Sequence, residues 1–187
     1  MIRQEYKEQL QEHREGNPGW GSSAIRNAGD HIVRYLNKHE SIVSVLDYGC
    51  GNGVLADWVQ ARVDRQLEWY EYDPSVPGKD QLPDSGPLDL FDLIISVDVL
   101  EHVEPGSIEA TLDWIADNAV RQFHHIDCNE TKDRLPDGRD VHLLVRPPDW
   151  WDKMLAGRGF TQMYRADIHQ RKRGRYPRTS CTFILER

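Results

Sequence analysis

The run Val43-Ser44-Val45-Leu46-Asp47-Tyr48-Gly49-Cys50-Gly51-Asn52-Gly53 constrains this chain more than any other segment. Val43, Val45 and Leu46 supply the apolar content of a buried strand over 43–48. Asp47 sits where that strand ends, and Gly49, Gly51 and Gly53 follow at alternate positions. Such a turn needs residues without a Cβ, both for unusual φ/ψ and so that the backbone can approach a ligand closely. Val54 to Val63 then reads as a helix. A strand that passes through a glycine turn into a helix opens a sheet of the α/β kind, which binds ligands outside the carboxyl ends of its strands.

Two ligand classes compete for this loop. Gly51-Asn52-Gly53-Val54-Leu55-Ala56 satisfies the dinucleotide pattern G-x-G-x-x-G/A, with Asp73 lying 20 residues beyond Gly53. The longer string Asp47-x-Gly49-x-Gly51-x-Gly53 resembles the first motif of the class I S-adenosylmethionine (SAM)-dependent methyltransferases. The acid before the glycines discriminates between them. A dinucleotide places pyrophosphate over the helix N-terminus, where a carboxylate repels it. SAM has no phosphate and carries a cationic amino group and sulfonium, which Asp47 attracts.

Composition frames the rest. A chain of 187 residues is expected to form one domain, with N-terminal helices over 1–40 and a Rossmann-like core over 41–187. The formal net charge of -8 argues against a whole-surface affinity for nucleic acid, though not against a local basic patch. Cys50, Cys128 and Cys181 are distant in sequence and odd in number, which suits reduced thiols in a cytoplasm. No run of about 18 apolar residues exists, so no membrane span is expected, and the charged N-terminus lacks a signal-type apolar segment.

Residues 1–15 read as a peripheral helix, followed by a Gly/Pro/Asn-rich loop over 16–23. Ser23 is placed to cap a helix running to about His39, with Ile25, Ala28, Ile32 and Leu36 on its buried face. Strands are expected at Leu67 to Tyr72, Phe91 to Val97 and Gln122 to Asp127, and a helix over Ser107 to Val120. Ser75 to Leu90 is rich in Pro, Gly and Asp and reads as loop, where class I methyltransferases place a helix and a third strand. Cys128 to Val141 is a long polar loop. Pro147-Pro148 opens a helix whose apolar face is Trp150, Trp151, Met154 and Leu155. Phe160 to His169 and Ser180 to Leu185 would close the sheet as an antiparallel hairpin. The expected fold is therefore α/β, a mostly parallel sheet with helices on both faces and the third-strand region shortened.

Asp73 ends its strand where class I methyltransferases place an acid, and its two oxygens match the paired hydroxyls of a ribose. The alternative is a turn-forming Asp-Pro. Trp20 either folds over the cofactor as a lid or simply packs. Asp98-Val99-Leu100-Glu101-His102 resembles the D/E-x-x-E-H segment of several methyltransferase families, among them ubiquinone-biosynthesis O-methyltransferases and small-RNA terminal 2′-O-methyltransferases. There the segment and a later histidine bind a divalent metal. The resemblance implies Asp98, Glu101, His102 and His142 as ligands, and the i, i+3, i+4 spacing puts the first three on one helical face. Two carboxylates with two imidazoles suit Mn²⁺, Fe²⁺ or Zn²⁺ better than Mg²⁺. Without metal, Asp98 touches cofactor, and His102 or His142 is a candidate general base. His124 and His125, adjacent in a strand, face opposite sides and receive no catalytic role.

The segment from Leu135 to Trp151, with the glycine motif, Tyr72-Asp73-Pro74 and the loop around Gly19-Trp20-Gly21, resembles a group of small, often phage-encoded methyltransferases. Arg139 and Arg146 would bind an anionic acceptor or else form surface ion pairs. Arg171 to Arg178 is either a phosphate-gripping run or a solvated hairpin tip. DNA base methylation is disfavoured, because Asp98-Val99-Leu100-Glu101 stands where an amino-methylating enzyme carries its Pro-Pro box, and no Pro-Cys occurs. The expected activity is methyl transfer from SAM to an oxygen, less readily a nitrogen, of a small-molecule or sugar acceptor. Methylation of an RNA end or ribose, and a SAM-binding protein without transferase activity, are the alternatives. Oligomeric state is not legible.

Overall fold

The structure is a computed structural model that describes residues 2–20, 23–83, 90–170 and 178–187. Five α-helices are described: α1 (Gln4–Gly16), α2 (Asp30–Lys38), α3 (Val54–Gln60), α4 (Ile108–Asn118) and α5 (Pro148–Leu155). The strands are β1 (Ser44–Tyr48), β2 (Glu68–Tyr72), β3 (Leu93–Val97), β4 (Arg121–Asp127), β5 (Thr161–Gln170) and β6 (Arg178–Glu186). They form one sheet in the order β2-β1-β3-β4-β6-β5. The first four run parallel, and β6 pairs antiparallel with both β4 and β5.

Period-2 alternation sorts the strand side chains between two cores. Val45, Leu93, Ile95 and Phe123 pack with Ile32 and Leu36 of α2 and Leu55 and Val59 of α3. Leu46, Ile94 and Ile126 face the other way, onto Leu112 and Ile115 of α4 and Trp151 and Leu155 of α5. Both faces are covered, which is why β1 and β3 are buried along nearly their whole length. The chain leaves β1 toward β2 on one side and reaches β3 on the other. Strand order thus reverses between β1 and β3, and a cleft opens at their carboxyl ends.

Several local expectations are corrected. Val43 precedes β1 and is 52% exposed, because the strand begins one residue later. Ser23 does not cap α2. The chain enters that helix through a π-turn over Ile25–Gly29, and the Ser23 hydroxyl donates instead to Asp98 Oδ2 at 2.9 Å. Cys128 and Cys181, distant in sequence, lie with their sulfurs 3.6 Å apart where β4 meets β6. Among the described residues no strand lies between β2 and β3, in keeping with the shortened third-strand region. Among the same residues no helix is long and apolar enough to cross a membrane. Residues 171–177 of the basic run lie outside the described residues; Arg178 opens β6 and pairs with Asp127.

Candidate active site

The glycine turn is fixed from both ends. The Gly49 and Cys50 amides donate to the Tyr72 carbonyl at 2.7 and 3.0 Å, tying the turn to the tip of β2. Gly49 has φ +83°, and a Cβ there would lie 2.4 Å from the Val99 side chain. At Gly53, with φ +81°, a Cβ would lie 2.1 Å from Glu71 Oε1. Gly49 is needed for both conformation and space, and Gly53 for its conformation, since the Glu71 and Lys79 side-chain ends beside it can move. Gly51, at φ +55°, gives its amide to Asp73 Oδ2 at 2.9 Å.

Three carboxylates stand around this turn, one at the carboxyl end of each of β1, β2 and β3. Asp47 is buried, and its Oδ2 has no hydrogen-bond partner. Burial, helped by the nearby Glu71 and Asp73, pushes its carboxyl up to about 7. Asp98 follows β3 with φ +55°, a rare conformation for a residue with a side chain. Its Oδ2 accepts from Ser23 Oγ and from Asn27 Nδ2 at 2.6 Å. Its buried Oδ1 has no hydrogen bond and lies 3.7 Å from His125 Nε2. Asp73 accepts from the Gly51 amide, from Arg14 Nη2 at 3.0 Å, and from the Ser75 amide and hydroxyl at 2.9 and 2.6 Å.

A second cluster lies beyond β3 and β4. Leu100–His102 forms one 3₁₀ turn. Glu101 is fully buried; its Oε1 accepts from the Asp127 amide at 2.8 Å, and its Oε2 has no partner. The Nδ1–H of His102 donates to the Val141 carbonyl at 2.7 Å, and that of His142 to the Asn129 carbonyl at 2.6 Å. Both histidines therefore present Nε2 lone pairs. Donor atoms of Glu101, His102 and His142 lie within 4.8 Å of one another. Burial, reinforced by the neighbouring His142, lowers the His102 imidazole to about 3, so it is neutral at ordinary pH. A neutral imidazole whose second nitrogen is committed to a backbone carbonyl is the usual form of a metal-ligating histidine. The donor set fits a divalent transition metal.

Of the four ligands expected from sequence, the structure brings together these three and leaves Asp98 outside. The positive φ at Asp98 turns its side chain toward Ser23 and Asn27 before the 3₁₀ turn begins. His124 is a core residue, bonded to Ser96 and Gln122, whereas His125 bonds Thr182 and lines the cavity. Arg139 pairs with Asp137, and Arg146 lies over Trp150; neither lines the main cavity. Trp20 does line it, edge-on to His13 and His102 and beneath the Arg14 guanidinium. Nothing in the sequence points to Arg14 or Asn27 at the site, Ser23 reads as a helix cap, and His125 receives no role. Only their placement by α1, the π-turn and β4 brings them to the cleft.

One cavity of about 1770 Å³ is lined by Asp47, Asp73 and Asp98 and by His102 and His142, while Glu101 is buried behind its wall. It runs from Asp73 and the glycine turn, past Asp98 and His102, to the 128–133 segment. A mostly parallel sheet with an acid near the end of β1, a glycine turn after it, a second acid after β2 and an antiparallel terminal hairpin defines a class I SAM-dependent methyltransferase fold. Residues 20–171 match the family described as a methyltransferase domain, and the chain belongs to that family. Solved structures agree at the level of fold. The Burkholderia thailandensis 1,6-didemethyltoxoflavin-N1-methyltransferase is 15% identical, with a TM-score of 0.66 over 100% of this chain and 91% of that one. The magnesium protoporphyrin IX methyltransferase of Synechocystis is 17% identical, with a TM-score of 0.67 over 97% and 99%. The N-methyltransferase NodS of Bradyrhizobium japonicum is 11% identical, with a TM-score of 0.64 over 97% and 98%. All three were solved with S-adenosylhomocysteine (SAH) bound. No curated protein matches the sequence.

Proposed function

We propose that this chain transfers the methyl group of SAM to an oxygen, in preference to a nitrogen, of a small-molecule or sugar acceptor, and that Glu101, His102 and His142 hold a divalent metal beside the acceptor. The observation that carries the metal is that one donor atom from each of Glu101, His102 and His142 lies within 4.8 Å of the others, while both Nδ1 atoms are committed to carbonyls and Glu101 Oε2 has no partner. One carboxylate with two imidazoles suits Zn²⁺, Fe²⁺ or Mn²⁺ better than Mg²⁺. Bound there, such an ion would lower the pKa of an acceptor hydroxyl, as metals lower that of water from 15.7 to about 7.

The chain's own residues do the rest. The unpartnered Oδ2 of Asp47 and Oδ1 of Asp98 face a cationic ligand, which SAM's ammonium and sulfonium supply. Asp73 receives the ribose hydroxyls. In the transfer the methyl–sulfur bond breaks as the new methyl–oxygen bond forms, SAH is released, and the acceptor loses its proton. Alignment dominates such a step, since orientation is worth roughly 7–11 kcal/mol and a positioned base about 10²–10⁴-fold. In a metal-free enzyme the Nε2 of His142 takes the proton, or less readily that of His102, whose lowered pKa makes it a weak base. With metal bound those lone pairs are committed, so the two roles exclude each other.

On the acceptor side of the cavity Asp127, Glu130 and Asp133 outnumber Lys132 and Arg178, and Arg178 is already paired with Asp127, which favours a compact acceptor over a polyanion. Two of the similar solved enzymes are named for small-molecule acceptors, which supports the same reading. RNA is the alternative, motivated by the basic run Arg171–Arg178, and it predicts binding that weakens steeply with salt. Elemental analysis and calorimetry with Mn²⁺, Fe²⁺ and Zn²⁺ test the metal. Wild type is expected to bind one equivalent, Glu101→Gln and His142→Ala to weaken that binding by more than the roughly 10–100-fold that losing a residue behind a ligand costs, and all three to bind SAH equally. A metal-free wild type whose activity survives chelator would sink the metal and leave His102 or His142 as the base.

A further inference from the structure

Helix α1 is strapped over the mouth of the cofactor cleft. Arg3 pairs with Glu104, the Tyr6 hydroxyl donates to the His102 carbonyl, and Lys7 pairs with Asp80 at 2.7 Å. At the other end of the helix Arg14 reaches Asp73. Its Nη2 donates to Asp73 Oδ2 and Ser75 Oγ, and its Nε donates to the same Oγ at 3.1 Å. Its Nη1 is buried without a partner above Gly51.

Asp73 thus accepts four hydrogen bonds, about the full capacity of a carboxylate. Two come from backbone amides that hold the turn. The other two come from Arg14 and from Ser75 Oγ, and Arg14 also holds that Oγ. A ribose diol needs two acceptor positions on this carboxylate, and the arginine network uses them. We propose that Arg14 is a latch: it occupies the ribose-binding carboxylate, and cofactor loading requires its release, so α1 opens as SAM enters. The proposal rests on the assignment of Asp73 to ribose. Arg14 also lies over Trp20, whose edge meets the His102 ring, so release disturbs packing beside the Glu101–His102–His142 cluster. Cofactor entry and acceptor-side order are coupled through one side chain.

Apparent affinity falls by the fraction of molecules in which the latch is open. Arg14→Met keeps the stem and removes the charge. By stopped-flow tryptophan fluorescence and calorimetry, Arg14→Met is expected to bind SAH faster and about tenfold more tightly, the worth of a part-buried charge-assisted bond. Arg14→Lys, which can still pair, should remain near wild type. Ser75→Ala should shift the same way as Arg14→Met by a smaller factor, and it serves if Arg14→Met does not fold. In wild type, amide exchange over the carboxyl-terminal turn of α1 should speed up when SAH is added. Weaker or unchanged binding by the Met and Ala variants, or slower exchange in α1, overturns the latch. Asp73→Asn separates the premise: if it binds SAH as wild type does, the ribose assignment fails irrespective of Arg14.

Discussion

Asp47 shows how a single residue can be kept for its ligand at the expense of the free protein. Its carboxyl is buried and lifted to about 7. Because the folded value exceeds the ordinary 3.8, the folded chain holds a proton between about pH 4 and 7 that the unfolded chain has lost. Stability from this group is therefore present at low pH and falls as pH rises toward 7. Ligand binding runs the opposite way, since an ammonium is attracted only by the ionised form. SAH affinity should rise with pH through about 7 and then level off. Asp47→Asn should remove that dependence, weaken SAH at least tenfold, and melt at a higher temperature than wild type above pH 7. Calorimetry and thermal melts from pH 5.5 to 8.5 check all three. A pH-independent wild type would mean that Asp47 does not face the ligand's charge.

At the scale of elements, much of the fold was legible because period-2 and helical patterns survive where one residue type faces one layer. β1, β2, β4, α4, α5 and the terminal hairpin lie within a residue or two of where the patterns put them. The entry to α2 was not legible: a π-turn has no signature in residue spacing, and Ser23 looks like a cap until Asp98 is beside it. The metal-like cluster was legible in part. Glu101, His102 and His142 come from the resemblance of the 98–102 segment to metal-binding methyltransferases, but the positive φ that removes Asp98 cannot be seen in a sequence. The α5 helix anchors the loop that carries His142, and its Trp151 is fully buried. Trp151→Ala should cost about 3–5 kcal/mol in urea unfolding. Trp151→Phe should cost clearly less, because the indole Nε1–H it deletes is buried without a partner. Equal losses in the two variants would contradict this packing.

Across the whole molecule, the sheet reverses its strand order beside β1, and that one topological fact gathers the functional candidates. Asp47, Asp73, Asp98 and Asp127 come from the carboxyl ends of four different strands, and the glycine turn lies among them. Helix α1 and the 128–146 loop then close the cleft from two sides, bringing Arg14 and His142 to residues far away in sequence. The central claim is that this cleft takes SAM rather than a dinucleotide, although Gly51 to Ala56 satisfies the dinucleotide pattern. Calorimetric titration of the protein with SAH and, separately, with NAD tests it most directly. One equivalent of SAH should bind, NAD should give no heat of binding, and Asp47→Asn should weaken SAH at least tenfold. NAD binding without SAH binding would contradict the account and make the shorter glycine pattern the correct one.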